Sequence, residues 1–408
     1  MGRFPSGQRE QTVNLSSSTS VVRIHLFPPK EGFVSYDKPF CKSYRSINGL
    51  YYMADSSTKQ IRRNGFLDII KTIATIFIIF HHFQQAVDVR FSVINFWDGS
   101  FYFGRLVELF FVISGFLITP YVSKIEKGLS FRVFFVRRYL RLIPIVLIST
   151  VLDFIIVWVS NPNLFANNPL KTLLETVLVA LGIHGIINRE VTFANNPMWY
   201  ISVLLWCYII FYIVFSLLNR LHANKRLFYL LFSFALIIFG SCILLFGFNY
   251  PFLNEYVGRS MVSFFSGVIL GIVLSNISLS NKLLVPLFTL ITVLFFIPIL
   301  SHLILSYSSL TILYVIMFCY SPIVILSKTD LLIKLCNHSI LTLMAKISFH
   351  AFCFHSPIKG MLTIVVTALG LKDMVYSNGL LSMVLYLLIV YGFSTITYFL
   401  IEKPLSTK

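Results

Sequence analysis

The sequence predicts an all-α polytopic membrane protein, with about ten transmembrane helices plus one re-entrant or interfacial helix. Three observations carry this expectation. Of 408 residues, 57% are hydrophobic and only 12% are charged, roughly half the charged share of an ordinary soluble domain, and mean hydropathy is +0.81. From Gly65 onward, apolar stretches long enough to cross a bilayer follow one another. Lys and Arg outnumber Asp and Glu by 33 to 16, and the surplus gathers between particular stretches, as the positive-inside rule requires. In a soluble protein that surplus would suggest nucleic acid. Here it reads as topology, with room for an anionic ligand, and no nucleic-acid partner is expected.

Residues 1–60 are polar, rich in Ser and basic groups, and hold no apolar core before a small-residue cleavage site. They are expected to be a disordered or superfluous N-terminal extension, and the text from Met53, MADSSTKQIRRNGFLD, reads as an alternative start. Residues 61–408 are expected to form a single membrane domain. Its spans are read as 66–86, 104–123, 142–160, 199–218, 227–248, 259–276, 283–301, 305–327, 340–368 and 379–400. Basic loops 124–141 and 219–226 mark the cytoplasmic side. Only two crossings fit between those loops, so 171–188, which carries Lys171, Glu175 and His184, becomes the re-entrant or interfacial element. Ten spans place both termini in the cytoplasm. The six cysteines lack metal-type spacing and imply no disulfide framework.

Within this frame a few polar residues stand out. Lys71 and His82 are eleven residues apart in the first span, which on an α-helix is three turns plus ~20° and a rise of ~16 Å. They share one face at different depths, and a titratable group in lipid faces a protein interior or a wet cavity. Glu108 begins the second span and would meet His82 if the two spans are antiparallel neighbours. Such a carboxylate–imidazole pair is what a general base needs. The plainer reading pairs Glu108 with Arg105 and leaves His81 and His82 capping a helix. Arg138 and Arg141 are three apart and share a helix face. Guanidinium forks suit the phosphates of a coenzyme A, although arginines before a span are also what topology alone demands. Ser114 and Gly115 are small mid-span residues suited to close helix packing. Trp199 opens an aromatic stretch typical of a membrane interface, and His355 lies in an apolar helix beside Pro357.

Taken together, these segments resemble the acyltransferase-3 family of membrane O-acyltransferases, from about Arg63 to Pro404. The resemblance rests on five motifs in order. They are Leu67-Asp68 with Lys71 and His82, Phe110–Ile118 (FFVISGFLI) after an acid, Arg138-x-x-Arg141 before Leu142 and Pro144, Ser348–Pro357 (SFHAFCFHSP), and Glu402-Lys403-Pro404. The family usually has Arg at the position of Lys71, and many members carry an acidic pair where this chain has Leu204-Leu205.

The resemblance implies an acyltransferase that takes an acyl group, typically acetyl, from cytoplasmic acyl-CoA and uses no metal. The acceptor would be a hydroxyl of a cell-surface or lipid-linked glycan at a bacterial inner membrane. His82 and Glu108 would be catalytic. Lys71, Arg138 and Arg141 would hold the donor, and His355 and Trp199 would contact the acceptor. Two other readings stand beside it: a transporter or flippase of lipid-linked glycans, and an acyltransferase acting on a small metabolite or peptide.

Overall fold

The computed structural model describes residues 43–47, 50–54, 64–87, 95–97, 103–187, 194–221, 224–275, 280–283, 286–290 and 315–404. The chain divides into two compact units, one of residues 64–395 and one of the remaining N- and C-terminal segments. In the latter, β1 (Ser43–Ile47) and β2 (Leu50–Ala54) pair antiparallel with Ser43 opposite Ala54, and a wide π-type turn spans Tyr398–Glu402. The rest of the 1–60 segment, expected to be disordered or superfluous, lies outside the described residues.

The larger unit is helical throughout. Asn64 opens α1 (Gly65–Val87) by accepting from the Leu67 amide at 3.2 Å, and its own amide donates to Ser327 O at 2.8 Å. That is a cap and a tertiary tie in one residue. Gly65 is required there, because a Cβ would sit 1.9 Å from the Cys336 carbonyl oxygen.

Next come α2 (Leu106–Ile118), α3 (Tyr121–Glu126) and α4 (Phe131–Ser160). After them lie α5 (Pro162–Asn167), α6 (Pro169–Ala180) and α7 (His184–Ile187). The expected span 104–123 is interrupted at Thr119-Pro120, where proline ends the helix it cannot continue. The expected span 142–160 begins at Phe131 instead, so Arg138 and Arg141 stand on the helix rather than in a preceding loop. Residues 171–188 fold as two short helices, α6 and α7, separated by a turn.

Three long helices follow: α8 (Trp199–Leu218), α9 (Lys225–Phe246) and α10 (Glu255–Val273). Asn224 and Asn254 cap α9 and α10 by accepting from Leu227 and Val257 amides. Most of the expected span 283–301, and residues 305–314 of the expected span 305–327, lie outside the described residues. The chain resumes with α11 (Ser321–Leu326), α12 (Asp330–Leu335), α13 (Ser339–Ala368), α14 (Lys372–Ser377) and α15 (Gly379–Thr397).

Among the described residues, seven helices are long and apolar enough to cross a membrane. Large apolar side chains such as Leu231, Phe234, Ile238 and Leu245 on α9 face outward, as a lipid-contacting surface must. The chain is therefore a multi-pass membrane protein. Helix α10 is the most buried of the seven and packs chiefly on α2 and α9, whereas α1 packs chiefly on α13, and α13 in turn on α4. The α2–α10 approach is close enough that a Cβ on Gly115 would sit 1.9 Å from the Phe264 carbonyl oxygen. Small residues let two backbones meet at that distance. Two helix partnerships, α2 with α10 and α1 with α13, hold most of the polar side chains singled out above.

Candidate active site

The two adjacent histidines near the end of α1 point in different directions, as residues ~100° apart on a helix do. His81 is buried, bonds the Phe96 carbonyl through Nδ1 at 2.8 Å, and lies edge-on to Trp97. Beside it, Gln84 Oε1 accepts from the amides of Phe96 and Trp97. His81 and Gln84 thus fasten residues 95–97 to α1.

His82 faces α13 instead. Its ring stacks on that of His355, centroids 5.0 Å apart and planes 26° from parallel. His82 Nδ1 lies 3.1 Å from Gln85 Oε1, and His355 Nδ1 lies 2.7 Å from the Phe352 carbonyl. Because both of those partners are acceptors, each Nδ1 carries a proton, and in the neutral imidazole each Nε2 keeps its lone pair. His355 is fully buried, and its Nε2 has no hydrogen-bond partner among the described residues. Tyr386 of α15 fixes the same stretch of α13 by donating to the His355 carbonyl at 2.7 Å, and its ring stacks on Phe83. Two imidazoles from two helices therefore present unprotonated nitrogens side by side.

Charged groups surround this pair. Asp153 of α4 is buried and accepts from the Asn195 amide at 2.5 Å. Asn195 holds a left-handed backbone with φ of 48°. Its side chain donates to Ser149 Oγ at 2.9 Å and to the Cys353 carbonyl at 3.2 Å. That residue therefore ties α4 to α13. Lys359 follows His355 by four residues, one turn along the same helix face. It lies within electrostatic reach of His81, His82, His355 and Asp153. Sequence reasoning passed over Asp153 and Lys359, although a charge inside a span is a signal in itself.

Arg138 occupies an aromatic box. Its guanidinium carbon is 4.1 Å from the Tyr121 ring centroid, 3.8 Å from Phe134 and 5.3 Å from Tyr208, and Nη1 donates to the Phe134 carbonyl at 2.6 Å. Stacking of this kind holds the planar cation in place. Arg141, one turn on, is exposed. From this end a line of side chains leads to the histidines. Tyr208 and Tyr200 both lie near Ser114, the Tyr200 ring meets Phe352 at 5.5 Å, and Phe352 meets His355 at 5.8 Å. Asp153 stands 15 residues beyond Arg138 and 12 beyond Arg141 on α4, or ~22 and ~18 Å by helix rise. Lys71 is ion-paired with Asp68 at 2.8 Å on its own helix.

Glu108, expected beside His82, is bonded elsewhere. Its Oε1 is 2.6 Å from Arg259 Nε of α10, with both side chains buried. Arg259 also lies 3.7 Å from Glu255 and 4.9 Å from the Trp199 ring centroid, and Trp199 stacks on Tyr256 at 4.2 Å. The reason is rotational. Glu108 and Gly115 are seven residues apart and so share a helix face, and Gly115 locks that face against α10. Trp199 belongs to this ionic cluster, not to the histidine pair. Arg259 is legible in the sequence as a charge opening an apolar run.

The structure thus brings His82 and His355 together and sets Arg138 with Arg141 at the other end of an aromatic line. It places Glu108 with Trp199 against α10, and leaves Lys71 with Asp68. Among the described residues, no group of three or more His, Cys, Asp or Glu side chains is arranged to hold a metal ion.

Comparison with known proteins adds one finding. A family model described as an acyltransferase domain matches residues 64–399, which is the whole helical unit from the cap of α1 onward. No curated protein and no solved structure gave a match. A match of that extent, over four of the five motif segments, has a plain meaning: the chain belongs to the acyltransferase-3 family of membrane O-acyltransferases.

Proposed function

We propose that this acyltransferase moves an acetyl group from cytoplasmic acetyl-CoA to a hydroxyl of a cell-surface or lipid-linked glycan at a bacterial inner membrane, with both chain termini on the cytoplasmic side. Residues 61–408 are the transferase domain in this reading, and 1–60 play no part in transfer. The observation that carries it is the stacked pair His82–His355, each ring with its Nδ1 proton committed and its Nε2 lone pair directed away from that bond. A base for a sugar hydroxyl needs a neutral imidazole in a fixed tautomer, held by a partner on the other nitrogen. The partner of His82 is Gln85 and not the expected Glu108, so Glu108 is withdrawn from the base and assigned to the scaffold.

In this scheme Arg138 and Arg141 hold the phosphates of the donor. Arg138 is already oriented by its aromatic box, and a fixed guanidinium loses little entropy on binding phosphate. The ~18–22 Å from these arginines to the level of Asp153 is on the scale of a pantetheine arm. Lys71 adds positive charge on the α1 face below His82. The acceptor hydroxyl gives its proton to His82 Nε2 as its oxygen attacks the thioester carbon. The C–S bond then breaks, and the CoA thiolate takes that proton back. His355 Nε2, open and buried, receives a hydrogen bond from the acceptor. Trp199, stacked between Tyr256 and Arg259, shapes the wall of the acceptor side from a distance.

The test is acetyl-CoA turnover by protein in nanodiscs, followed as released CoA thiol and as radiolabelled acetyl transfer. His82→Ala is expected to lose about 10²–10⁴-fold in rate with donor binding retained. Arg138→Ala is expected to lose donor binding first. Folded wild-type protein that neither binds nor consumes acetyl-CoA would overturn the reading.

A further inference from the structure

The Lys359 ammonium is a cation inside a membrane-spanning helix, and among the described residues it makes no hydrogen bond or ion pair. Asp153 acts on it electrostatically but is itself engaged by the Asn195 amide. A half-buried ammonium left without a contact partner is costly, so it needs a reason. Its position supplies one. Lys359 sits one helical turn from His355 on the same face, within reach of both stacked imidazoles. A neutral imidazole with its proton on Nδ1 is a hydrogen-bond acceptor at Nε2. A neutral base next to an uncommitted cation is the arrangement that acyl transfer uses, because the base takes a proton while the carbonyl oxygen gains negative charge.

We infer that Lys359 is the catalytic residue that stabilises the oxyanion of acyl transfer, and that Asp153 is the positioning residue that holds it toward His82 and His355. The inference rests on the reading of those two histidines as the transfer site. As the acceptor oxygen bonds the thioester carbon, the carbonyl π electrons move to oxygen, and Lys359 donates an N–H to that oxygen without losing its proton. Collapse restores the C=O, expels the thiolate, and leaves Lys359 as it began. The Asn195 bridge to Ser149 and Cys353 fixes Asp153 against α13, so the cation keeps its place without the carboxylate closing on it. Preorganised charge of this kind is worth more in a site shielded from water than at a surface.

The test uses full-length protein in nanodiscs with acetyl-CoA as donor and water as acceptor, reading released thiol. Lys359→Met, which keeps length and removes charge, is expected to lower kcat about 10²–10³-fold with the KM for acetyl-CoA moving less than about threefold. Lys359→Arg should recover about tenfold of that loss, since it restores the charge in different geometry. Asp153→Asn should lower kcat about tenfold through Lys359, and should add almost nothing to Lys359→Met in the double variant. A Lys359→Met protein that folds and keeps kcat within about threefold, while His82→Ala abolishes turnover, would overturn the oxyanion role and leave the histidine reading standing. If Lys359→Met fails to fold, the Lys359→Arg and Asp153→Asn rates decide in the same directions. Wild-type protein inert toward acetyl-CoA would overturn both.

Discussion

Two buried polar clusters occupy this helical unit, and they are built on opposite plans. At the α2–α10 contact, Glu108 and Arg259 form a tight ion pair, with Glu255 and the Trp199–Tyr256 stack closing around the arginine. The opposite charges pair through Glu108 Oε1, while Glu108 Oε2 is buried with no hydrogen-bond partner among the described residues. At the α1–α13 contact, His82 and His355 stack without bonding each other, each spending one nitrogen on a local acceptor and keeping the other open. Lys359 completes that second cluster as a cation with no contact partner among the described residues. A charge-paired cluster fixes how helices sit, whereas open nitrogens beside an unpaired cation leave chemistry to be done. The proposed division gives structure to the first cluster and transfer to the second.

The contrast can be broken most forcefully at Glu108. Removing one member of a buried pair strands the other charge, so Glu108→Ala is expected to cost about 3–5 kcal/mol. Reduced yield and a lowered unfolding midpoint in detergent would register it. Replacing both members with apolar residues of similar size, Glu108→Leu with Arg259→Met, should recover most of that loss. Should Glu108→Ala instead fold as well as wild type and fail only in turnover, the ionic cluster would belong to the chemistry after all.

At His355 the expectation runs the other way. His355→Phe keeps an aromatic ring in the stack, removes the unpartnered buried Nε2 and gives up the Nδ1 bond to the Phe352 carbonyl, a change expected to cost about 1–2 kcal/mol. Turnover should fall about 10²-fold, ~2.7 kcal/mol, for a positioned group lost from the transition state. Donor affinity should hold. A large loss of stability with modest loss of rate would put His355 among the scaffold residues.

Much of this was legible in the sequence, for a reason visible in particular residues. The apolar runs, the basic segment at Arg138 and Arg141, and His82 and His355 were all readable because membrane solvation penalises every departure from apolarity. A polar residue in such a background is conspicuous. Its partner is not. Pairing Glu108 with His82 assumed that spans adjacent in sequence pack together, but α1 packs chiefly on α13 and α2 on α10. Helix rotation was also hidden, although Glu108 and Gly115 share a face and the glycine marks the side of closest approach. Asp153 and Lys359 were as conspicuous as His82 by composition. They went unread because no motif or spacing joined them, and only the folded chain brings α4 beside α13.

The smallest effect separates two residues that stand side by side in the chain. His81 and His82 are the same side chain at the same depth, yet their roles differ because the helix turns ~100° between them. His81 spends its Nδ1 on the Phe96 carbonyl and packs against Trp97, while Gln84 takes the two amides beyond. All of this holds a loop, and none of it leaves a nitrogen facing α13. His81→Ala removes one side chain–backbone bond and one ring contact, so it should cost about 1–2 kcal/mol of local stability. Amide exchange and proteolysis near residues 95–97 should quicken, because one of their hydrogen-bonded ties to α1 is lost. Turnover should drop by less than about tenfold, against the 10²–10⁴-fold expected for His82→Ala. The measurement is a matched pair of single-turnover rates with exchange read at the same loop. Equal losses at the two histidines would mean that the loop closes over the transfer site and that fastening it is part of the chemistry. Unequal losses, with exchange rising only in His81→Ala, would mean that one turn of helix divides the anchor from the base.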